Sequence, residues 1–404
     1  MRGFSLLAAC VALLLSLCAA DVRAGEDWAS KEWSEIEEAA RGTEVRFYMY
    51  GGWAHVNKWV DTYVARELKE RYGITLVSVP MNAPEFVNKL LTEKAAGKES
   101  GSIDLMWING ENFKNAKEAG VLFGPYAKAL PNFRAYVLED AVAYDFGFPT
   151  EDYESPYGTA QFVFEYDSVA LPDPPRSFAE LKEWVVRNPG QFTYPQPPDF
   201  TGSAFIRQAF YAVTGGYEQY MSGYLQTTMD ANAPKLWAYL NELKPNLWQQ
   251  GKAYPKDSAA LDTLFARGEV ALNMSYHPAH AQGKILEGMY KGSVRTYVME
   301  DGSLYNTHYV AIAFNSPNIP GAMVAADFLL SPEAQLDKYD PANWGDFPAI
   351  DVTILPPEMR KKFEAVDLGW ATLTPAELGE NPVPEIPAKY LEELELGWEE
   401  HVLN

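Results

Sequence analysis

The sequence predicts an α/β protein that has a parallel sheet and enough length for two domains. From residue 45 to residue 119, strand patterns alternate with helix patterns, which is the rhythm of a sheet covered by helices. The strand pattern over 103–108 is almost continuously apolar, as expected for a strand buried on both faces. A chain of 404 residues exceeds what one hydrophobic core normally serves, so we expect two domains.

The first half of the chain contains the clearest patterns. Val60, Val64 and Leu68 recur every four residues, which predicts a helix over 57–72. The other elements predicted in this half are a helix within 26–43, strands at 45–50, 74–79 and 103–108, and helices at 85–96 and 112–119.

The second half of the chain is less regular. Residues 121–156 are aromatic and rich in turns, and residues 188–202 form a proline-rich loop. A long strand at 159–166 leads away from the first sheet. The other predicted elements are helices at 178–186, 203–214, 233–249, 258–267, 321–330 and 388–400, and strands at 270–275, 294–299 and 309–314.

The N-terminus has the pattern of an export signal. Arg2 precedes a short apolar stretch over 4–17, and small residues in 19–24 provide cleavage sites. The stretch is too short to be a membrane span. We therefore place a removable signal peptide at 1–24 and expect a periplasmic protein.

The two cysteines lie inside this predicted signal peptide. Without Cys10 and Cys18, the mature chain has neither a disulfide framework nor a thiol nucleophile. Leu17 is bulky where lipoprotein signals carry a small residue, which favours a free protein over a lipid anchor at Cys18.

The overall composition excludes some partners. A net charge of −22 argues against nucleic acid and anionic membranes as partners, and its main role is solubility. The chain has 11 Trp and 24 Tyr, more than a core needs, which fits a protein that grips an organic ligand between aromatic faces.

Several stretches carry a resemblance to a known family. They are residues 45–53, 104–107, 174–181, 264–272 and 315–318, and most specifically 325–335, which read Ala-Ala-Asp-Phe-Leu-Leu-Ser-Pro-Glu-Ala-Gln. In this order they resemble the solute-binding proteins of bacterial ABC importers, in the class whose lobes are linked by two or more crossing segments. Residues 107–112, Trp-Ile-Asn-Gly-Glu-Asn, further resemble the YnjB-type branch of that class.

This resemblance implies the two-lobed periplasmic-binding-protein fold (type II), with a cleft that closes on a solute. It implies a lobe I of 44–164 plus 273–332 and a lobe II of 165–272 plus 333–404, with crossing strands at 164–166 and 271–274. It also implies a monomer that is not an enzyme, needs no cofactor and delivers a small organic solute to ABC permease subunits.

Candidate ligand-binding residues of lobe I follow two predicted strands. Ligands of α/β sheets bind beyond the carboxyl ends of the strands, where glycines admit a ligand to the backbone and amides donate and accept hydrogen bonds. The candidates are Gly51, Gly52, Trp53 and His55 after the first strand, and Asn109, Gly110 and Asn112 after the third.

Two further groups of candidates come from the predicted lobe II and its first crossing. Thr201, Gly202 and Ser203 begin a predicted helix, whose free N–H groups attract an anionic group unless the residues act only as a cap. Glu165 and Tyr166 lie at the expected crossing, where they either line the cleft or hold the hinge.

The last candidates lie near other predicted strand ends: Tyr276, His277, Asn306, His308 and, after Trp344-Gly345, Asp346. Four of the five histidines lie near such ends, namely His55, His277, His280 and His308. They come from three separate segments, so polar lining of a cleft is favoured over a metal site.

Three alternative functions stay open: an exported carboxylate-dependent hydrolase or transferase on the same fold, a metal-binding transport protein, and a binding subunit that feeds a receptor rather than a permease. The sequence has no Gly-x-Ser-x-Gly and no His-Glu-x-x-His motif. Trp and Tyr together with acidic residues favour an organic cation or a heteroaromatic solute such as a thiamine-like molecule. The helix start at 201–203 favours a carboxylate or phosphate, and a zwitterion or a phosphorylated organic compound would use both features.

Overall fold

The computed structural model describes residues 27–52 and 54–404. The predicted signal peptide and Trp53 lie outside these ranges. None of the helices within them combines the length and the apolar composition of a membrane span.

The strands and helices of the described chain have the following bounds. The strands are β1 (Glu44–Met49), β2 (Thr75–Pro80), β3 (Leu105–Ile108), β4 (Leu122–Phe123), β5 (Tyr144–Asp145), β6 (Phe148–Pro149), β7 (Glu154–Gln161), β8 (Val163–Asp167), β9 (Leu272–Ser275), β10 (Val294–Tyr297), β11 (Ser303–Ala313) and β12 (Pro382–Pro384). The α-helices are α1 (Trp33–Ala40), α2 (Ala54–Trp59), α3 (Ala65–Tyr72), α4 (Ala83–Ala95), α5 (Gly110–Glu118), α6 (Pro131–Tyr136), α7 (Phe178–Arg187), α8 (Phe200–Thr214), α9 (Gln226–Leu243), α10 (Ser258–Ala266), α11 (His280–Leu286), α12 (Ile319–Leu329), α13 (Pro332–Tyr339), α14 (Pro357–Glu364), α15 (Pro375–Leu378) and α16 (Ala388–Trp398).

Capping residues explain where several helices begin and end. Asn82 and Glu85 form a reciprocal capping box at the start of α4, and the Ser177 side chain accepts the N–H of Glu180 in α7. Gly73 ends α3 in a left-handed conformation, φ 73°, as its position after the apolar repeat predicts. Local sequence therefore determines these boundaries.

The larger sheet has the strand order β12-β11-β3-β1-β2, and β4 and β7 also pair with β11. β1 runs parallel to β2 and β3, as the alternation of strands and helices predicts. β11 runs antiparallel to β3 and β7. The sheet is therefore mixed rather than wholly parallel, because β11 enters it from the other lobe and not through a crossover helix.

Both faces of this sheet are buried, so successive strand residues enter different cores. Phe47 and Leu105 pack in the core that contains residues of α1 and α12. Tyr48 and Met106 pack on the opposite side, in the core that contains residues of α4 and α5. This arrangement explains why residues 103–108 lack a polar face.

The smaller sheet has the antiparallel order β10-β8-β9. Its core contains Phe205 of α8, Leu240 of α9 and Trp398 of α16. We call the part of the molecule built on the larger sheet lobe I and the part built on the smaller sheet lobe II.

Two segments join a different lobe from the one we expected. β9 and β10, with α11 between them, belong to lobe II because both strands pair with β8. Most of the chain after residue 331 packs on lobe I, where Tyr339, Trp344 and Phe363 share a core with α12. Ala371 is buried in the core of lobe II, and the last stretch, including α16, returns to that core.

The connections between the lobes also differ from expectation. Residues 164–166 lie in β8 and residues 272–274 lie in β9, which pair with each other in the smaller sheet, so these residues do not cross between the lobes. The paired strands β7 and β11 make the crossing. Leu304 at one end of β11 is buried in the core of lobe II, whereas Val310 is buried in the core of lobe I.

Candidate functional site

The loop after β1 lies at the boundary between the lobes. Gly51 and Gly52 are exposed, and Tyr50 keeps 37 % of its surface exposed. A Cβ on Gly51 would lie 2.6 Å from Pro80, and one on Gly52 would lie 2.1 Å from the Tyr50 hydroxyl. The two glycines therefore leave room for side chains of lobe I, whereas we expected them to admit a ligand.

His55 connects the two lobes at the exposed edge of this boundary. Its Nε2 lies 2.6 Å from Oε1 of Glu287, directly after α11 of lobe II. A Cβ on Gly283 of α11 would lie 3.9 Å from the same nitrogen. Both side chains keep 30 % exposure, although Nε2 of His55 itself is buried.

The start of α5 brings together the candidates that follow β3. Asn109 precedes the helix, and Gly110 opens it with φ 62°, a conformation that suits glycine. The N–H of Gly110 donates to Oδ2 of Asp145 at 2.5 Å. A carboxylate of the protein thus already occupies this helix end, while Asn109 and Asn112 remain half-buried.

The start of α8 is also occupied, which corrects the expectation of an anion site there. Asp199 is the N-cap residue, and its Oδ1 accepts the N–H groups of Thr201 and Gly202 at 3.0 and 2.9 Å. Its other oxygen accepts the N–H of Ser258 at 3.2 Å. Burial raises the pKa of Asp199 to about 6, against the effect of these donors. The helix-start candidates Thr201, Gly202 and Ser203 are buried.

The centre of the boundary holds a buried ion pair that the sequence does not reveal. Arg207 of α8 donates from Nε and Nη2 to the two carboxylate oxygens of Glu385, both at 2.7 Å. Tyr276 donates its hydroxyl to Glu385 at 2.6 Å, so this candidate supports a charge inside the protein. The rings of Phe146 and Phe200 lie 5.4 and 5.5 Å from the guanidinium carbon.

His308 and Asp346 come together as part of a second buried group. Nε2 of His308 lies 3.1 Å from Oδ1 of Asp346, and Nζ of Lys338 donates to Oδ2 at 2.7 Å. Burial would raise the pKa of Asp346, but Lys338 and His308 hold it below its usual value. The ring of His308 packs edge-on against Trp107, with centroids 4.9 Å apart.

His277 reaches the same group from lobe II. A Cβ on Gly345 would lie 3.5 Å from its imidazole, and Asp346 is the next residue. Burial lowers the pKa of His277 to about 4, although Asp346 opposes this shift. Asn306 is also buried, and its Nδ2 has no hydrogen-bond partner among the described residues.

The remaining candidates lie in lobe II, away from these groups. Glu165 is fully buried, and Nδ1 of His280 lies 2.8 Å from its Oε1, while Nε2 lies 3.2 Å from Oδ2 of Asp262. Burial opposes the charge on His280, but the two carboxylates raise its pKa to about 10. Tyr166 is half-buried and packs edge-on against Tyr297. Glu165 is therefore part of an ion-pair network in lobe II.

Two carboxylates at the boundary, Glu111 and Glu395, were not among the residues that the sequence indicated as candidates. Glu111 lies in the first turn of α5, and Glu395 lies on α16 of lobe II. The pKa of Glu111 is raised to about 7, mainly because the group is buried and also because of the charge of Glu395. The place of Glu111 between candidates Asn109 and Asn112 was an available signal. Nothing near Glu395 in the sequence indicates its proximity to α5.

A metal-binding arrangement is not found in residues 27–52 and 54–404, where no group of three or more His, Asp or Glu side chains is placed to hold an ion. His280 instead pairs with Glu165 and Asp262, and His308 with Asp346.

Comparisons with known proteins agree with this architecture. A family model described as bacterial extracellular solute-binding protein matches residues 63–365. Protein YnjB of Escherichia coli strain K12 is 39% identical over 338 residues, which are 83% of this chain and 87% of that protein. The resemblance drawn from the sequence, including the YnjB-type branch, is confirmed.

Solved structures with the same fold are more distant in sequence. An ABC transporter protein of Clostridium perfringens has a TM-score of 0.62 at 19% identity and covers 89% of this chain and 100% of its own. The periplasmic binding protein AfuA of Actinobacillus pleuropneumoniae, solved with fructose-6-phosphate, has a TM-score of 0.61 at 16% identity, with coverage of 89% and 98%. These likenesses support the two-lobed fold.

Proposed function

Because this chain belongs to the bacterial extracellular solute-binding protein family, we propose that it captures a small organic solute between its lobes and delivers it to the permease of an ABC importer. Solute binding is the role of the family. Delivery to an ABC permease is supported by the names of proteins with the same fold, from Clostridium perfringens and Listeria monocytogenes.

The observation that carries this proposal is the meeting of polar groups from both lobes along one boundary. Lobe I contributes His55, Asn109, Glu111 and Asn112, and lobe II contributes Glu287 and Glu395 on the opposite side. Polar groups that converge between two lobes are typical of a ligand cleft. Rotation of the lobes about the β7–β11 pair would separate these groups and admit a solute.

The proposed ligand contacts are the half-buried side chains at this boundary, Asn109 and Asn112, with Tyr50 at its exposed edge. Trp53 stays a prediction from the sequence, because it lies outside the described residues. The buried candidates Tyr276, His308 and Asp346 act through protein contacts and would position the cleft rather than touch the solute.

Location is part of the proposal. We expect export with removal of residues 1–24 and release into the periplasm as a soluble monomer without a lipid on Cys18. Mass spectrometry of the exported protein tests this directly. A mature chain that begins with a diacylglyceryl cysteine at position 18 would contradict it.

A crosslinking experiment tests lobe closure on a solute. The mature chain after residue 24 has no cysteine, so His55→Cys with Glu287→Cys would supply its only thiols. A short bis-maleimide should join them more efficiently when a solute closes the cleft, and each single variant serves as the control. Solutes come from a thermal-shift screen of vitamins, polyamines, sugars and phosphate esters, where saturation at 100 times Kd should add about 2.7 kcal/mol of stability.

Binding without turnover is the expected outcome for a member of this family. The alternative of an exported carboxylate-dependent enzyme predicts chemical change of the solute. Mass analysis of a solute after long incubation with the protein separates the two, and a product that accumulates catalytically would contradict the transport role.

A further inference from the structure

We infer that the solute carries a positively charged nitrogen, which binds between Glu111 of lobe I and Glu395 of lobe II, and a neutral hydrogen-bond acceptor for Arg207. This inference rests on the proposed function and names the chemical class of its solute. It is drawn from the charges at the lobe boundary and from the polar groups there that lack partners.

Glu111 and Glu395 approach each other from different lobes without a cation of their own. Helices α5 and α16 are in contact, and Glu395 acts on the titration of Glu111. The side-chain hydrogen bonds to these carboxylates among the described residues come from Asn112, at 2.8 Å, and Ser203, at 2.5 Å. Two facing carboxylates in a partly buried place are unfavourable unless a proton or a cation joins them.

Arg207 opposes the burial that raises the pKa of Glu111 and of Glu395, but it forms no ion pair with either. Its charge is already shared with Glu385. Glu385 accepts two of its hydrogen bonds. Nη1 of Arg207 is buried and has no partner among the described residues. A buried donor of this kind has a cost unless something accepts from it, so a ligand oxygen near Arg207 is favoured. This unpartnered donor is independent of the two carboxylates.

The positions that would bind an anion are filled from within the protein. Asp145 accepts the first N–H of α5, and Asp199 accepts two N–H groups of α8. A phosphate or carboxylate would have to displace these side chains before it could use either helix end. The boundary therefore disfavours an anionic solute.

The exposed edge of the boundary is also negatively charged. Tyr50 of lobe I has its pKa raised by burial and then by Asp199, Asp257 and Asp262 of lobe II. Three carboxylates of lobe II thus lie near enough to Tyr50 to act on its hydroxyl group. An aromatic face with nearby carboxylates attracts organic cations, both on approach and when bound.

Closure itself would select the charge. Rotation of the lobes away from each other would separate Glu111 from Glu395 and let water reach both. Closing brings them together, and a cation between them replaces repulsion with attraction. A neutral or anionic solute leaves that repulsion in place, so it would bind without favouring the closed form.

The first test uses three four-carbon probes that differ only in their polar groups. These are 4-amino-1-butanol, butylamine and succinate. We expect isothermal titration calorimetry to rank 4-amino-1-butanol above butylamine, with succinate not binding. Glu111→Gln and Glu395→Gln should each lower the affinity for 4-amino-1-butanol by about tenfold. Glu118→Gln, a change at an exposed position of α5, should leave this affinity unchanged.

The second test needs no ligand. At neutral pH the apo Glu111→Gln protein should unfold at a higher temperature than wild type, because the variant lacks the repulsion from Glu395, and Glu118→Gln should be unchanged. Succinate binding as tightly as the amines, no binding of either amine, or a lower unfolding temperature for Glu111→Gln would each overturn the inference.

The two proposals fail in distinguishable ways. If other solutes raise the crosslinking of residues 55 and 287 while the amines do not bind, the inferred charge is wrong and the transport function stands. If no solute of any class changes the crosslinking, the proposed function itself is contradicted.

Discussion

Two carboxylate pairings at the lobe boundary differ in how their charge is balanced. Glu385 is held by Nε and Nη2 of Arg207 and by the Tyr276 hydroxyl, and all three side chains are buried. Glu111 faces Glu395, and neither has an arginine or lysine partner among the ion pairs of the described chain. The first arrangement completes its charges within the protein and stabilises the boundary. The second leaves a negative charge for something outside the protein to neutralise.

The largest expected effect breaks the balanced arrangement. Glu385→Ala leaves the guanidinium of Arg207 buried without its carboxylate, so we expect a loss of about 3–5 kcal/mol in the free energy of unfolding. Urea denaturation measures it. The double variant Arg207→Met with Glu385→Leu should recover much of the loss, and a single variant as stable as wild type would show that the pair is not structural.

A second balanced group gives a pH-dependent effect. The pKa of His280 is raised from 6.5 to about 10, so the folded state holds this proton more tightly than the unfolded state. Its contribution is full below pH 6.5 and is lost as the pH rises through about 10. The free energy of unfolding of wild type, compared with that of His280→Gln, should therefore fall by about 2–4 kcal/mol over this interval. Parallel stability curves for the two proteins across this interval would contradict the charged state of His280.

The unbalanced pair predicts a smaller effect at lower pH. The pKa of Glu111 is raised from 4.5 to about 7, so its contribution is present below pH 4.5 and is lost as the pH rises through about 7. The stability of Glu111→Gln should not decline in this way. Above pH 7 its free energy of unfolding should exceed that of wild type by about 1 kcal/mol, after allowance for solvent screening. Denaturation curves at several pH values measure it, and Glu118→Gln should follow wild type.

The smallest effect is expected at the exposed contact between the lobes. His55→Ala removes the contact with Glu287, and both side chains of this contact are partly exposed, so its cost should be about 0.5 kcal/mol. His401→Ala, an exposed histidine in the C-terminal segment of lobe II, is the control for loss of a surface imidazole. A loss above about 2 kcal/mol would indicate that this contact is structural in the way that Arg207 and Glu385 are.

Local sequence predicted the elements that depend on local patterns. The apolar stretch at 103–108 and the repeat of Val60, Val64 and Leu68 both lie where the structure has a buried strand and a helical segment. For the start of α8 the sequence left two outcomes open, an anion site or a helix cap, and the structure has the cap. Asp199 was available as a stronger cap two positions before Thr201, and it fills the site proposed for an anion.

Features that depend on distant pairing were not predictable from the sequence. β12 has only three residues and no recognisable pattern, yet it pairs with β11. The return of the chain after residue 331 to lobe I depends on where Trp344 and Phe363 find an apolar surface. Contacts such as Glu111 with Glu395 and Arg207 with Glu385 join segments far apart in the chain, so a single sequence carries no local signal for them.

The β7–β11 pair has a mechanical consequence. Its register shifts between His308 and Tyr309, between the end of β11 buried in lobe II and the end buried in lobe I. A bulge increases local twist and bends a strand while the ladder continues on both sides of it. The proposed opening of the cleft would then be elastic flexing of a continuous ribbon about this point, and we expect the backbone amides on either side to stay protected from exchange throughout the cycle.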